Sequence, residues 1–123
     1  MPKKVLIVDD SQAESRLMQS FLQFAGFAAV ALSDPLRVEQ MLESEHPSLI
    51  LLDVVMPGRN GFQVCRELKA NEEFKQIPIV LVTSKNGDSD KFWGMQQGAD
   101  GYVVKPFTSE QLIGEVQRVI GQQ

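Results

Sequence analysis

The chain reads as a doubly wound α/β domain, a parallel sheet with helices on both faces. Three observations predict this. Short, unbroken apolar runs stand at residues 5–8, 49–52 and 79–82, as expected of parallel strands covered on both faces. Segments carrying helix start and stop signals separate them. Strand and helix then alternate along the whole chain, with no repeat, low-complexity tract or linker, which is the signature of successive crossover units.

Residues 5–8 form the first strand. Ser11 and Glu14 suggest a capping box for the first helix, and Gly26 its stop. Residues 27–32 are a weaker second strand. Asp34 before Pro35 predicts an N-cap with proline at the first helical position. Residues 49–52 are the third strand. A third helix spans 61–69, with Phe62, Cys65 and Leu68 on one face. Residues 79–82 are the fourth strand, and a fourth helix runs from near Asp88 to Gly98. A short fifth strand covers 102–104. Thr108 and Gln111 suggest a second capping box, followed by the helical stripe Leu112, Val116, Val119 and Ile120. Periodicity does not reveal strand order.

At 123 residues, the chain is one domain by size, and domain boundaries of 1–123 are expected, with no output domain. A formal net charge of −4 and a pI near 4.9 argue against direct nucleic-acid binding and against an anionic membrane surface. The single cysteine, Cys65, excludes an internal disulfide and reads as a buried helix residue. The single histidine, His46, precedes Pro47 and reads as a loop residue. One of each excludes zinc sites rich in these residues and disfavours Ser-His or Cys-His catalysis. The apolar run after Met1-Pro2-Lys3-Lys4 is too short for a signal peptide or membrane span. A cytoplasmic location is therefore expected.

Chemistry-bearing residues fall at four strand ends: Asp9-Asp10, Asp53, Thr83-Ser84 and Lys105-Pro106. In open parallel sheets that edge is where ligands bind. Taken singly, each has a structural alternative. The aspartate pair could cap a helix, Asp53 could open the Pro57-Gly58 turn, Thr83-Ser84 could end a strand, and Lys105 could be a solvated charge. Together they converge, and carboxylates at close range repel strongly. A hard divalent cation such as Mg2+ suits these oxygens and an incoming phosphate. Lys105 adds a point charge.

These pieces, quoted as Val8-Asp9-Asp10-Ser11, Leu52-Asp53-Val54-Val55-Met56-Pro57-Gly58, Val82-Thr83-Ser84 and Val104-Lys105-Pro106-Phe107, resemble the receiver domain of two-component response regulators over essentially the whole chain. The resemblance implies a flavodoxin-like (βα)5 fold with strand order 2-1-3-4-5. It implies Asp53 as phosphoacceptor, with Lys105 and Thr83 binding phosphoryl oxygens and Ser84 leaving the group room. Mg2+, with Mn2+ as a substitute, would sit on Asp10, Asp53 and the Val55 backbone carbonyl, with Asp9 acting through a water. A cis Lys105–Pro106 bond would aim the lysine. Thr83 and Tyr102 would form the switch, the ring of Tyr102 turning inward as Thr83 moves. Val55 and Lys85 occupy the two positions that tune phosphoryl lifetime in this family.

The implied partners are a histidine kinase or phosphotransfer domain and an output protein bound at the face formed by the fourth helix, fifth strand and fifth helix. A monomer or weak dimer is expected. The tract Thr83-Ser84-Lys85-Asn86-Gly87-Asp88, with Trp93-Gly94 and Gln97-Gly98-Ala99, resembles receivers of twitching-motility and phototaxis systems. Trp93 is read first as a packing residue of the fourth helix, with a partner anchor as the alternative. The rival functions are a phosphate sink that drains its kinase, a Mg2+-dependent aspartyl phosphatase of the haloacid dehalogenase type, and a nucleotide binder. The phosphatase needs a second aspartate where Val55 stands, and the binder needs a phosphate-cradling first loop instead of Asp9-Asp10-Ser11.

Overall fold

A computed structural model describes residues 2–121; Met1, Gln122 and Gln123, the ends of the predicted 1–123 span, lie outside the described residues. Five strands, β1 (Lys4–Val8), β2 (Ala28–Leu32), β3 (Leu49–Asp53), β4 (Ile79–Thr83) and β5 (Gly101–Val104), alternate with helices α1 (Gln12–Phe24), α2 (Val38–Glu45), α3 (Gly61–Lys69), α4 (Asp88–Gln96) and α5 (Ser109–Gly121). All strand pairs are parallel, in the order β2-β1-β3-β4-β5. The order implied by the resemblance is the one observed.

The apolar runs divide by parity. Leu6, Val8, Ile50, Leu52 and Leu81 enter one core with Leu42 of α2 and Val64, Cys65 and Leu68 of α3. Val5, Ile7, Leu49, Leu51, Val80 and Val82 enter the other with Met18 and Leu22 of α1 and Leu112, Val116 and Val119 of α5. Successive residues point to opposite faces, so only an apolar residue at every position can bury both.

Two helix starts depart from expectation. The Ser11 hydroxyl accepts from the Glu14 amide at 3.3 Å, as the first half of a capping box. The second half is absent: the Ser11 amide donates instead to Asp9 Oδ1 at 2.9 Å, and the Glu14 carboxylate turns to Lys105. Asp34 caps a 3-10 turn, Pro35–Arg37, by accepting from the Leu36 amide at 3.0 Å, and α2 begins only at Val38. At Thr108 and Gln111 both halves of the box form, at 2.9 and 3.1 Å. Gly26 ends the first crossover at φ +94°, a left-handed turn that suits glycine. His46 is left-handed at φ 48° and closes α2.

β3 and β4 each run one residue past the predicted end, because the ladders pair Asp53 with Val82 and Thr83 with Val104. Asp53 is therefore held by strand pairing. The segment after it turns back tightly: the Gly61 amide donates to the Val54 carbonyl at 2.8 Å. A Cβ on Gly61 would stand 2.2 Å from the Asp53 carbonyl oxygen. Arg59 ties the same segment to the neighbouring helices, through Glu39 at 2.6 Å and Glu67 at 3.0 Å.

Gly61→Ala should destabilise the fold by about 2 kcal/mol, the magnitude of a core overpacking defect against backbone. Urea denaturation checks this; a loss under about 0.5 kcal/mol would show that the 54–60 segment yields freely.

Candidate functional site

The carboxyl ends of β1, β3 and β5 carry Asp9, Asp53 and Lys105 to one point. Lys105 Nζ lies 3.2 Å from Asp9 Oδ2 and 3.4 Å from Asp53 Oδ1, and it also contacts Glu14 Oε2. The Lys105–Pro106 bond is cis. Asp9 and Asp53 are buried and Asp10 is exposed beside them. Carboxylate oxygens of Asp9, Asp10 and Asp53 all lie within 4.8 Å of one another.

Magnitudes decide how stable this cluster is. Two carboxylates 4.8 Å apart repel by about 3 kcal/mol at an effective dielectric of ~20. Each ion pair of Lys105 with Asp9 or Asp53 contributes about 5 kcal/mol on the same basis. Burial, which costs several kcal/mol per ion, then dominates for the aspartates. Burial pushes the Asp9 carboxyl up to about 6, with Asp53 adding to the rise and the Ser11 amide and Lys105 opposing it. Burial also raises Asp53 above the usual carboxylate range, against the pull of Lys105 and the Val55 amide. For Lys105, burial lowers the pKa, but Glu14, Asp53 and Asp9 outweigh it and hold the ammonium above its ordinary value.

The three aspartates fit a hard divalent cation. They offer only oxygen donors, they converge within reach of one ion, and a second positive charge would compensate the desolvation that Lys105 leaves unoffset. The cluster opens into a cleft of about 580 Å³ whose walls include Ser84 and the Val55 side chain. Leu17, Pro106 and Phe107 form an apolar rim beside the acidic floor.

Thr83 is placed differently. It is fully buried and is not on the cleft wall; its hydroxyl accepts from the Lys85 amide at 3.3 Å. The Lys85 carbonyl in turn accepts from the Tyr102 hydroxyl at 2.7 Å. One residue of the β4–α4 loop thus holds both Thr83 and Tyr102. The ring of Tyr102 packs on the core beside Gly94, whose missing side chain leaves it space.

Trp93 corrects an expectation. It is 52% exposed, with Phe92 and Met95 exposed beside it, and the α4 position turned to the sheet is Gly94. Cys65 is buried as expected, its thiol pushed up to about 12 by burial. Sequence reasoning missed Glu14 as a partner of Lys105. The available signal was its spacing, four residues after Asp10 in the first turn of α1, which a capping role would use up.

The raised Asp9 pKa has a sign. An acid that titrates near 6 when folded and near 3.8 when unfolded favours the folded state most at low pH. Its contribution falls as pH rises from about 4 through 6. In EDTA, Asp9→Asn should therefore be more stable than the parent at pH 8, by on the order of 2 kcal/mol. The gap should close toward pH 4. Denaturation at the two pH values checks this, and an equal gap at both would overturn it.

Comparison with known proteins agrees with this geometry. A family model described as the response regulator receiver domain matches residues 5–117. The crystal structure of a Chloroflexus aurantiacus protein assigned to the response regulators superposes with TM-score 0.93 at 26% identity, over 98% of this chain and 99% of that one. The chemotaxis protein CheY4 of Vibrio cholerae superposes with TM-score 0.89 at 31% identity, over 97% and 99%. The BeF3-activated receiver domain of Klebsiella pneumoniae RstA gives TM-score 0.89 at 28% identity, over 96% and 98%. Among the described residues no helix is long and apolar enough to cross a membrane. On its matched length, its strand order and the carboxylates gathered at its sheet edge, the chain belongs to the receiver domains of two-component response regulators.

Proposed function

We propose that Asp53 accepts a phosphoryl group from a phosphohistidine, carried by a histidine kinase or phosphotransfer domain, and that the resulting acyl phosphate changes which protein this domain binds. One observation carries the reading. Asp53 ends a paired strand and lines an open cleft, with Lys105 3.4 Å away and two further carboxylates within 4.8 Å.

An Asp53 carboxylate oxygen supplies the electron pair for the new O–P bond. The P–N bond of the donor breaks, and its pair returns to the imidazole nitrogen. With acetyl phosphate the leaving group is acetate. Because burial raises the Asp53 pKa, its ionisation must be favoured before it can attack. Lys105 does part of this and then turns to a phosphoryl oxygen. Mg2+, or Mn2+, held by Asp10, Asp53 and the Val55 carbonyl with Asp9 at one remove, would neutralise charge on the transferring oxygens. Ser84, on the cleft wall, leaves the phosphoryl group room. For Thr83 to reach that group, its hydroxyl must leave the Lys85 amide. That release reaches the loop carbonyl holding Tyr102, and so the output face.

Phe92, Trp93 and Met95, exposed together on α4, support an output partner at that face over a mere phosphate sink. A taxis or motility pathway, in the cytoplasm, is supported by the 83–99 tract and by the likeness to a chemotaxis protein. The phosphatase alternative has no support, since Val55 offers no acid two residues beyond Asp53.

Intact mass after incubation with acetyl phosphate and Mg2+ tests the acceptor. A single phosphoryl adduct is expected, absent in Asp53→Ala and absent with EDTA. Persistence of the adduct in Asp53→Ala would refute the assignment. The Val55 side chain cannot hydrogen-bond an attacking water, so the phosphoryl group should be long-lived. Val55→Asn should speed its loss about tenfold, a typical share for positioning a nucleophile by hydrogen bonding. Decay of the adduct mass with time measures it, and an unchanged half-life would sink the idea.

A further inference from the structure

Lys105 Nζ has three N–H donors, and three carboxylates surround it: Asp9, Asp53 and Glu14. Two of these are part of the acceptor and metal cluster. Glu14 is not. It sits in the first turn of α1, its side chain 44% exposed against 1% for Asp9 and 9% for Asp53. Asp53 is locked by strand pairing, and Asp9 is buried and held by the Ser11 amide. Glu14 has a longer stem, lines the cleft, and keeps its side chain partly in solvent while it contacts the ammonium.

We propose that Glu14 is a displaceable counterion that occupies on Lys105 the place a phosphoryl oxygen must take, and so sets how readily the acceptor is loaded. The inference rests on Asp53 being the acceptor. A phosphoryl group entering the cleft competes with a tethered carboxylate for the same N–H donor. Of the three partners Glu14 yields most easily, because it alone has solvent to return to. Glu14 also adds negative charge to the mouth through which an anionic donor passes. Toward a cation its effect is opposite. By sharing Lys105 it weakens the ammonium's hold on Asp9 and Asp53, and its charge attracts a divalent ion. Glu14 is thus a positioning residue acting through Lys105. It strengthens metal binding and weakens phosphoryl binding.

The alternative is an ordinary surface ion pair with no bearing on the cleft. The two differ in a signature that loss of a structural contact would not give. For Glu14→Gln, beryllofluoride binding at saturating Mg2+, followed by amide spectra, should tighten about three- to tenfold, as expected for release of a partly exposed charge-assisted contact. The rate of adduct formation with acetyl phosphate should rise by a similar factor. Mg2+ binding alone, followed by calorimetry, should weaken. Glu14→Ala, which leaves no group at that position to hold Lys105, should show the same pattern. Unchanged or weaker beryllofluoride binding in both variants, with wild type loading normally, overturns the inference and leaves the acceptor reading intact. Failure of wild type to take up either reagent overturns the acceptor reading and the inference with it.

Discussion

The ammonium of Lys105 faces more negative charge than it can cancel, and most of the site derives from that imbalance. Asp9 and Asp53 sit buried at strand ends, 3.2 and 3.4 Å from the same nitrogen. One monovalent charge offsets their mutual repulsion but not their desolvation, so both carboxyls are pushed upward in pKa. Such deficits concentrate at functional sites, where binding can relieve them. The deficit is of a kind that a divalent cation on the aspartates would redress.

Fold and site are joined through the parallel ladder. β1, β3 and β4 bury both faces, so these three central runs cannot slip by one residue without exchanging their two cores. That rigidity carries to their last residues, and Asp53 inherits it directly because pairing with Val82 includes it. The loop after Asp53 is shaped by contact with backbone, through Gly61, and by the Arg59 ion pairs to Glu39 and Glu67. Reactive groups are thus fixed from beneath by the sheet and from the side by the loop, while the cleft above stays open.

The α4 side is built more lightly. α4 turns a glycine to the sheet and leaves Phe92, Trp93 and Met95 outward. Its link to the site runs through one residue, Lys85, whose amide and carbonyl hold Thr83 and Tyr102. Two hydrogen bonds on one loop residue are easily exchanged. A glycine contact under an aromatic ring allows small shifts without breaking a packed core. Such a part shifts at lower cost than the buried ladder.

The sequence alone determined the element order, the doubly wound class and the residues of the acidic cluster. Unbroken apolar runs have one stable use in an alternating chain of this length, and each cluster residue directly succeeds or ends such a run. Strand order was legible only through family resemblance, since periodicity carries no information about which strands are neighbours. Only the tertiary structure decided the partners of individual side chains. Glu14 looked like a helix cap by spacing, but Lys105, ninety-one residues away, offered a charge that a backbone amide could not match. Trp93 looked like core by composition, but the α4 face toward the sheet belongs to Gly94, because the Tyr102 ring and Leu81 already fill that space. Local spacing records what a residue can do for its own helix. Which of the competing contacts wins is set by charges and volumes that the fold brings from elsewhere in the chain.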